Sequence, residues 1–164
     1  MAAKKRTAAK KRLSISSPTS RTAVPDRGPA RSPHDVILKG GAAQHLGVRL
    51  KSVTKKRVTA EMPIAEKHLN RSGIVAGGAL MAFADLLGAT GTVANLPPDH
   101  RTTTLESKTN FFAAGVGPVL NGVAIPLHIG RTTMVWQTTI RNADKKLVAV
   151  VTQTQMVLPR QRKA

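Results

Sequence analysis

The chain has 164 residues, a length that suits one domain with an appended segment. It has no cysteine, which excludes disulfide bonds and thiolate metal sites. Its 26 basic and 8 acidic residues give a net charge of +18, which points to a polyanionic partner: nucleic acid, an anionic membrane surface or a phosphorylated ligand. With one Trp, three Phe and no Tyr, the chain lacks the aromatic platforms on which single-stranded nucleic acids stack.

Residues 1–34 are predicted to form a basic disordered tail, because they combine nine Lys/Arg with one acid, Asp26, and few bulky apolar residues. Their two "KKR" runs can contact nucleic acid or act as an address, and their composition weakly resembles an organelle presequence. A solvated tail is the favoured interpretation. No apolar secretion core follows the charges, so we expect a cytoplasmic protein. The folded domain is expected over residues 35–160.

The first part of that domain is predicted to contain a short helix and a hairpin. Residues 35–47 indicate a helix broken by Gly40 and Gly41. Residues 47–54 and 56–64 alternate apolar and polar side chains, which predicts two strands. Residues 66–74 indicate a polar, irregular loop. His68 in this loop either lines the site beside Asn70 or lies at the surface, and the surface position is the expectation.

Residues 76–94 are apolar on every side, which predicts a buried helix that ends at "NLPP". A membrane span is the alternative, since Gly73 to Pro98 carries one charge, Asp85, and is long enough to cross a bilayer. Five glycines and a charge near mid-bilayer oppose a span, so we predict none.

Four further strands are predicted, at residues 102–114, 118–130, 132–142 and 146–158, with Trp136 in the core or an interface. Strands that follow one another without helices pair antiparallel. The predicted fold class is therefore α+β, with a six-stranded antiparallel sheet wrapped around one long buried helix.

Two features of the buried helix suggest chemistry. Gly77 and Gly78 open it, where free N–H groups can form an anion site or an oxyanion hole; the alternative is that small residues allow close packing on the sheet. Asp85 is unusual in an apolar helix, and it is either held by a structural partner or serves as a general base or nucleophile.

The spacing of these features has a geometric consequence. Gly77 and Asp85 are eight residues apart, or about 12 Å along a helix axis. A reacting atom must lie about 3 Å from both the oxyanion donors and the catalytic group. If the two features act together, Asp85 must come from a second, antiparallel copy of the helix, which predicts a two-fold dimer with two composite sites.

These residues resemble the hotdog-fold acyl-CoA thioesterases, in particular the phenylacetyl-CoA thioesterase-like (PaaI-like) group. The matching positions are Asn70, Gly73, Ala76, Gly77, Gly78 and Asp85, with "TTTLESKTNFFAAGVG" and "IGRTTMVWQTTIRNADKKLVAVVTQTQMVL" after them. The resemblance covers about residues 35–158. Ala76 departs from it, because the family has a histidine at that position.

The resemblance implies thioester hydrolysis without a cofactor or metal. It implies that Asp85 is the base or nucleophile and that Gly77, with Gly78 beside it, supplies the oxyanion donor. Asn70 would position the thioester or water, and Thr104 would orient the water. It also implies a homodimer that shares its sites, and dimers that pair into a homotetramer.

Coenzyme A would also account for the basic charge, because its phosphates favour arginine and lysine. Arg131, Arg101 and Lys108 are the candidate contacts, although Arg131 can equally be an ordinary surface residue. By period-two alternation, Glu106 and Asn110 share a strand face with Thr104, which would make Glu106 a second acid near the site. The alternative function is a non-catalytic acyl-CoA-binding protein whose tail contacts nucleic acid.

Overall fold

The structure, a computed structural model, describes residues 40–160. The predicted tail and residues 35–39 lie outside this range. The helices of the described chain are α1 (Gly41–Leu46), a 3₁₀ turn (Glu66–His68) and α2 (Gly77–Val93). Its strands are β1 (Arg49–Thr54), β2 (Arg57–Pro63), β3 (His100–Phe111), β4 (Val119–Ile129), β5 (Thr133–Asn142) and β6 (Leu147–Pro159).

The six strands form one antiparallel sheet in the order β1-β2-β4-β5-β6-β3. Helix α2 contacts all six strands, and the core lies between the helix and the sheet. This arrangement confirms the prediction of a sheet wrapped around one buried helix. Trp136, fully buried beneath α2, confirms the prediction of a core position.

Two glycines precede or begin α1, and the part of the predicted helix before Gly40 lies outside the described residues. Gly40 and Gly41 have φ values of +104° and +64°, and the described helix begins at Gly41. Because these left-handed values suit glycine, the pair turns the chain into the helix. Gly47, with φ of +66°, ends the helix and returns its N–H to the carbonyl of Gln44.

Close packing of α2 on the sheet depends on glycines later in the helix. A Cβ atom at Gly91 would lie 2.5 Å from the Trp136 ring, and one at Gly88 would lie 2.4 Å from the Gln153 side chain. By contrast, a Cβ atom at Gly78 would meet nothing within 4 Å. The packing interpretation therefore applies to Gly88 and Gly91, and does not account for Gly78.

A β-bulge at Leu105 changes the predicted orientation of β3. Thr104 pairs with Gln155, whereas Glu106 pairs with the adjacent residue, Thr154. The extra residue moves Glu106 to the face opposite Thr104. The prediction that Glu106 and Asn110 share a face with Thr104 is wrong, and Glu106 is exposed on the outer face of the sheet.

The 17-residue helix α2 lies inside the fold, and among the described residues no helix is long and apolar enough to cross a membrane.

We predict opposite effects from two glycine substitutions in α2. Gly91→Ala should lower the free energy of unfolding by about 2 kcal/mol, because the new methyl group overlaps the rigid indole of Trp136. Gly78→Ala should leave it unchanged or raise it by about 0.5–1 kcal/mol, because alanine favours helix where space is free. Urea unfolding measures both, and equal effects would contradict the packing account.

Candidate functional site

The carboxylate of Asp85 is held between α2 and the sheet. The hydroxyl of Thr104, on β3, donates to Asp85 Oδ1 at 2.7 Å. Gln153, on β6, donates from Nε2 to the same oxygen and to the Asp85 main-chain carbonyl, both at 3.2 Å. Asp85 Oδ2 has no hydrogen-bond partner within residues 40–160. One oxygen of the half-buried carboxylate is therefore fixed, and the other is free to accept a proton.

A second set of hydrogen bonds fixes the Thr104 hydroxyl. Gln155 donates from Nε2 to Thr104 Oγ1 at 2.8 Å, and its Oε1 accepts from the Thr102 hydroxyl at 2.9 Å. Since Gln155 is fully buried and donates to Thr104, the hydroxyl must use its own proton toward Asp85. The relay from Thr102 to Asp85 therefore sets the carboxylate's orientation.

The start of α2 presents N–H groups without acceptors. Ala76 precedes the helix with φ of −60° and ψ of 141°, and its carbonyl accepts from Ala79 and Leu80. Within residues 40–160, the N–H groups of Gly77 and Gly78 have no acceptor. They lie at the positive end of a 17-residue helix, where an oxyanion is stabilised.

Gly77 lines an apolar groove of about 340 Å³. Phe111 lies over Gly77, where a Cβ atom would be 3.1 Å from the ring. The groove is lined by Asn70, Ile74, Val75, Gly77, Leu80, Phe111, Phe112, Ala113, Ala114 and Gly115. Such a lining suits an apolar acyl or aromatic group.

Asn70 shapes the loop that enters α2. Its Oδ1 accepts from the N–H groups of Ser72 at 2.9 Å and Ile74 at 3.4 Å. Its main-chain N–H donates to the Ile74 carbonyl at 2.8 Å, which closes the turn at Gly73. The carboxamide Nδ2 is left to meet a ligand, so the predicted positioning role for Asn70 rests on that atom.

A single subunit does not bring the two halves of the site together. Asp85 is absent from the lining of the groove at Gly77, in agreement with the helical separation of about 12 Å. The oriented carboxylate and the unpaired N–H donors therefore lie at two separate places along helix α2.

Comparison with known proteins identifies the family. The thioesterase superfamily model matches residues 72–149, which include Gly77, Gly78, Asp85 and Thr104. A candidate esterase of Vibrio cholerae is 30% identical over 112 residues, which cover 68% of this chain and 75% of the relative. The chain belongs to the thioesterase superfamily. A 1,4-dihydroxy-2-naphthoyl-CoA hydrolase of Listeria monocytogenes is 26% identical, over 67% of this chain and 89% of that enzyme.

Solved structures of thioesterases share the fold. A thioesterase of Haemophilus influenzae matches with a TM-score of 0.73 at 23% identity, over 78% of this chain and 90% of that chain. A thioesterase of Pseudomonas aeruginosa matches with a TM-score of 0.73 at 25% identity, over 81% and 96%. These neighbours confirm the hotdog fold for this superfamily member.

The predicted coenzyme A contacts lie away from the groove of their own subunit. Arg101 and Lys108 pair with Leu158 and Thr152 on the outer face of the sheet, opposite Thr104. Arg131 is exposed in the turn between β4 and β5. Their role in this thioesterase-superfamily chain stays a prediction.

Sequence reasoning missed the glutamines that hold the site. Gln153 and Gln155 are 1% and 0% exposed and face α2 from the central part of β6. The run "VTQTQ" alternates two polar residue types, so neither face of the strand is distinguished as the core. The burial of both glutamines could have been inferred from their position, because period-two spacing places them on the same strand face as the apolar Val151.

His68 is buried, and the expectation that it lies at the surface is wrong. It is 3% exposed, and its Nδ1 accepts from the Ala65 N–H at 3.2 Å. Burial, aided by the nearby positive groups Lys67 and His45, lowers the pKa of His68 below its ordinary value of 6.5. The folded state therefore favours the neutral form of the His68 ring.

His68 should therefore make stability depend on pH. The unfolded chain binds a proton at this residue near pH 6.5, whereas the folded chain binds it at lower pH, so the free energy of unfolding should fall as pH drops below 6.5. His68→Asn keeps an acceptor for the Ala65 N–H and removes this titration. Urea unfolding from pH 7.5 to 5 should show a smaller loss for the variant; parallel curves would contradict the assignment.

Proposed function

We propose that this chain hydrolyses acyl- or aroyl-coenzyme A thioesters at sites shared by two subunits. Asp85 of one subunit would act with the Gly77 and Gly78 N–H groups of the other. The observation that carries the proposal is the held carboxylate: Thr104 fixes Oδ1 at 2.7 Å, and Oδ2 is left open among the described residues. A carboxylate that only tied α2 to β3 would not need an open second oxygen beside a relay of three polar side chains.

The proposed chemistry assigns a role to each element. The thioester carbonyl oxygen accepts from the Gly77 and Gly78 N–H groups, which stabilise the negative charge that develops on it. Asp85 Oδ2 takes a proton from water as the water attacks the carbonyl carbon, or attacks that carbon itself to form an anhydride that water then cleaves. The C–S bond breaks, and the coenzyme A thiolate leaves and is protonated.

The surface of β3 supports a shared site. In the described chain, β3 pairs with β6 along one side and has no partner along the other. Leu105 at its bulge and Met81 on α2 are 61% and 39% exposed, although both are large and apolar. A second copy that covers this edge would bury them and set two α2 helices side by side, antiparallel. We propose a homodimer on this edge, and a pairing of such dimers into a homotetramer.

Coenzyme A is favoured as the thiol half of the substrate. The hydrolases named for a coenzyme A thioester in Listeria monocytogenes and Escherichia coli are 26% and 24% identical to this chain. A hypothetical thioesterase of Streptococcus pneumoniae, solved with coenzyme A, shares the fold with a TM-score of 0.63. Arg131, Arg101 and Lys108 are the proposed phosphate contacts, and membership of the PaaI-like group and a cytoplasmic location belong to the same proposal.

Ala76 supports a second candidate function. Because the PaaI-like pattern has a histidine at this position, the chain is alternatively a non-catalytic acyl-CoA-binding protein. That function predicts acyl-CoA binding without release of free thiol. The catalytic proposal requires both binding and release.

Asp85→Asn should remove hydrolysis while it keeps the shape of the side chain. We expect the rate of thiol release from a panel of acyl- and aroyl-CoA esters to fall about 1,000-fold, because an amide cannot accept the proton. A thiol-reactive dye follows the reaction, and thermal unfolding checks the fold. No turnover by the unmodified chain above this variant would contradict the catalytic function.

Thr104→Val should lower kcat by about 10- to 100-fold and leave KM nearly unchanged, because it releases the carboxylate from its fixed orientation. Thr103→Val is the matched control, since Thr103 pairs with Met156 on the outer face of β3. The control should retain activity. Equal losses in the two variants would show that β-strand stability, and not the hydrogen bond to Asp85, sets the rate.

A further inference from the structure

The second half of β4 forms an open edge that no function described above uses. Strand β2 pairs with β4 only as far as Val58 with Ala124, and β4 then continues to Ile129 against β5 alone. A register shift between Pro126 and His128 makes Leu127 a bulge. We name this surface the β4 edge groove; it is shallow, has a volume of about 450 Å³, and is lined by Lys56, Ile125, Pro126, Leu127, His128 and Ile129.

Three large aliphatic side chains stand exposed along this groove. Ile125, Leu127 and Ile129 are 40%, 55% and 44% exposed. They lie within five consecutive residues of one strand whose outer backbone edge is open. Ile125 pairs with the outward-facing Gln137, whereas Ile129 pairs with the buried Met134, so the bulge turns the two isoleucines to opposite faces of β4. The three side chains therefore frame the open edge from both sides, and exposed apolar residues around an unpaired edge mark a surface that is covered by a partner.

Basic residues surround the aliphatic side chains. Lys55 and Lys56 form the turn between β1 and β2, Arg57 begins β2, and Arg131 lies in the turn after β4; Lys56 lines the groove itself. In the described part of the chain, no carboxylate oxygen lies within 4 Å of their charged groups. The segments that meet at this end of the sheet carry six cations and one acid: Lys55, Lys56, Arg57, Arg101, Arg131, Arg160 and Asp99.

This charge distribution decides between possible partners. A second copy across a two-fold axis would bring the same cations face to face, and residues 1–34, with nine Lys/Arg and one acid, repel the groove in the same way. Single-stranded nucleic acid would use aromatic side chains, whereas those exposed here are aliphatic. An anionic bilayer offers headgroup phosphates for the cations and an acyl layer for the aliphatic side chains.

We propose that the β4 edge groove docks on anionic lipid bilayers. The aliphatic tips of Ile125, Leu127 and Ile129 enter the boundary between headgroups and acyl chains, and Lys55, Lys56 and Arg57 bind the lipid phosphates. This surface lies away from the groove at Gly77 and does not depend on the proposed hydrolysis.

Sedimentation of the full chain with vesicles tests the docking. We expect binding to vesicles of phosphatidylcholine with 30% phosphatidylglycerol and little binding to phosphatidylcholine alone. Leu127→Ser with Ile129→Ser should lower the partition coefficient about tenfold or more. Lys55→Gln with Lys56→Gln should also lower it about tenfold, whereas Lys145→Gln with Lys146→Gln, in the β5–β6 turn at the opposite end of the sheet, should have little effect.

The lack of cysteine allows a second, local measurement. Leu127→Cys labelled with a polarity-sensitive dye should shift its emission to the blue when anionic vesicles are added, and Asp144→Cys with the same dye should not. Binding that is unchanged by both groove variants, or equal shifts for the two labels, would overturn the proposal. So would an absence of vesicle binding, or a smaller particle mass for the serine variant, which would identify a second copy as the partner.

Discussion

The hydrogen bond from the Thr104 hydroxyl to Asp85 is the interaction on which the site depends. It joins the buried helix to the edge strand of the sheet, so one contact fixes both the carboxylate and the strand that borders the proposed subunit interface. Gln153 and Gln155, buried behind it, leave the acid one free oxygen within the described chain. The path from Thr102 through Gln155 and Thr104 to Asp85 is rigid because each step is a hydrogen bond, whereas Gln153 Oε1 is buried without a partner among the described residues.

The rise of an α-helix then determines the organisation of the whole protein. Eight residues separate the donors at Gly77 from the acid at Asp85, and no bend in a 17-residue helix packed against six strands can close about 12 Å. Either the two features serve different purposes, or symmetry supplies the missing half. The exposed Leu105 and Met81 near Asp85 favour a symmetric dimer. An exposed apolar edge beside an incomplete site is expected to be covered by a second copy of the chain, which would complete the site.

Periodic features of the sequence were sufficient to predict the fold, and local exceptions were not. Alternation located six strands, and an apolar run on all sides located α2, because burial on one face or on every face leaves a repeating pattern. The bulge at Leu105 has no such pattern, so Glu106 was placed on the wrong face. His68 is buried beside His45, a residue distant in sequence, and this proximity leaves no repeating pattern. Asp85 and the glycines were identifiable because a charged residue and glycines each lower the stability of a buried helix.

Subunit complementation tests the shared site most directly. Gly77→Pro removes one donor N–H at a position where proline fits, because Ala76 already has extended backbone; Gly77→Ala keeps that N–H and is the control. Gly77→Pro and Asp85→Asn subunits should each be inactive. After exchange at equal amounts, half of the dimers should be mixed, each with one intact site, and thioesterase activity should return to about a quarter of that of the unmodified protein. A mixture that stays inactive although mixed dimers form would contradict the shared site.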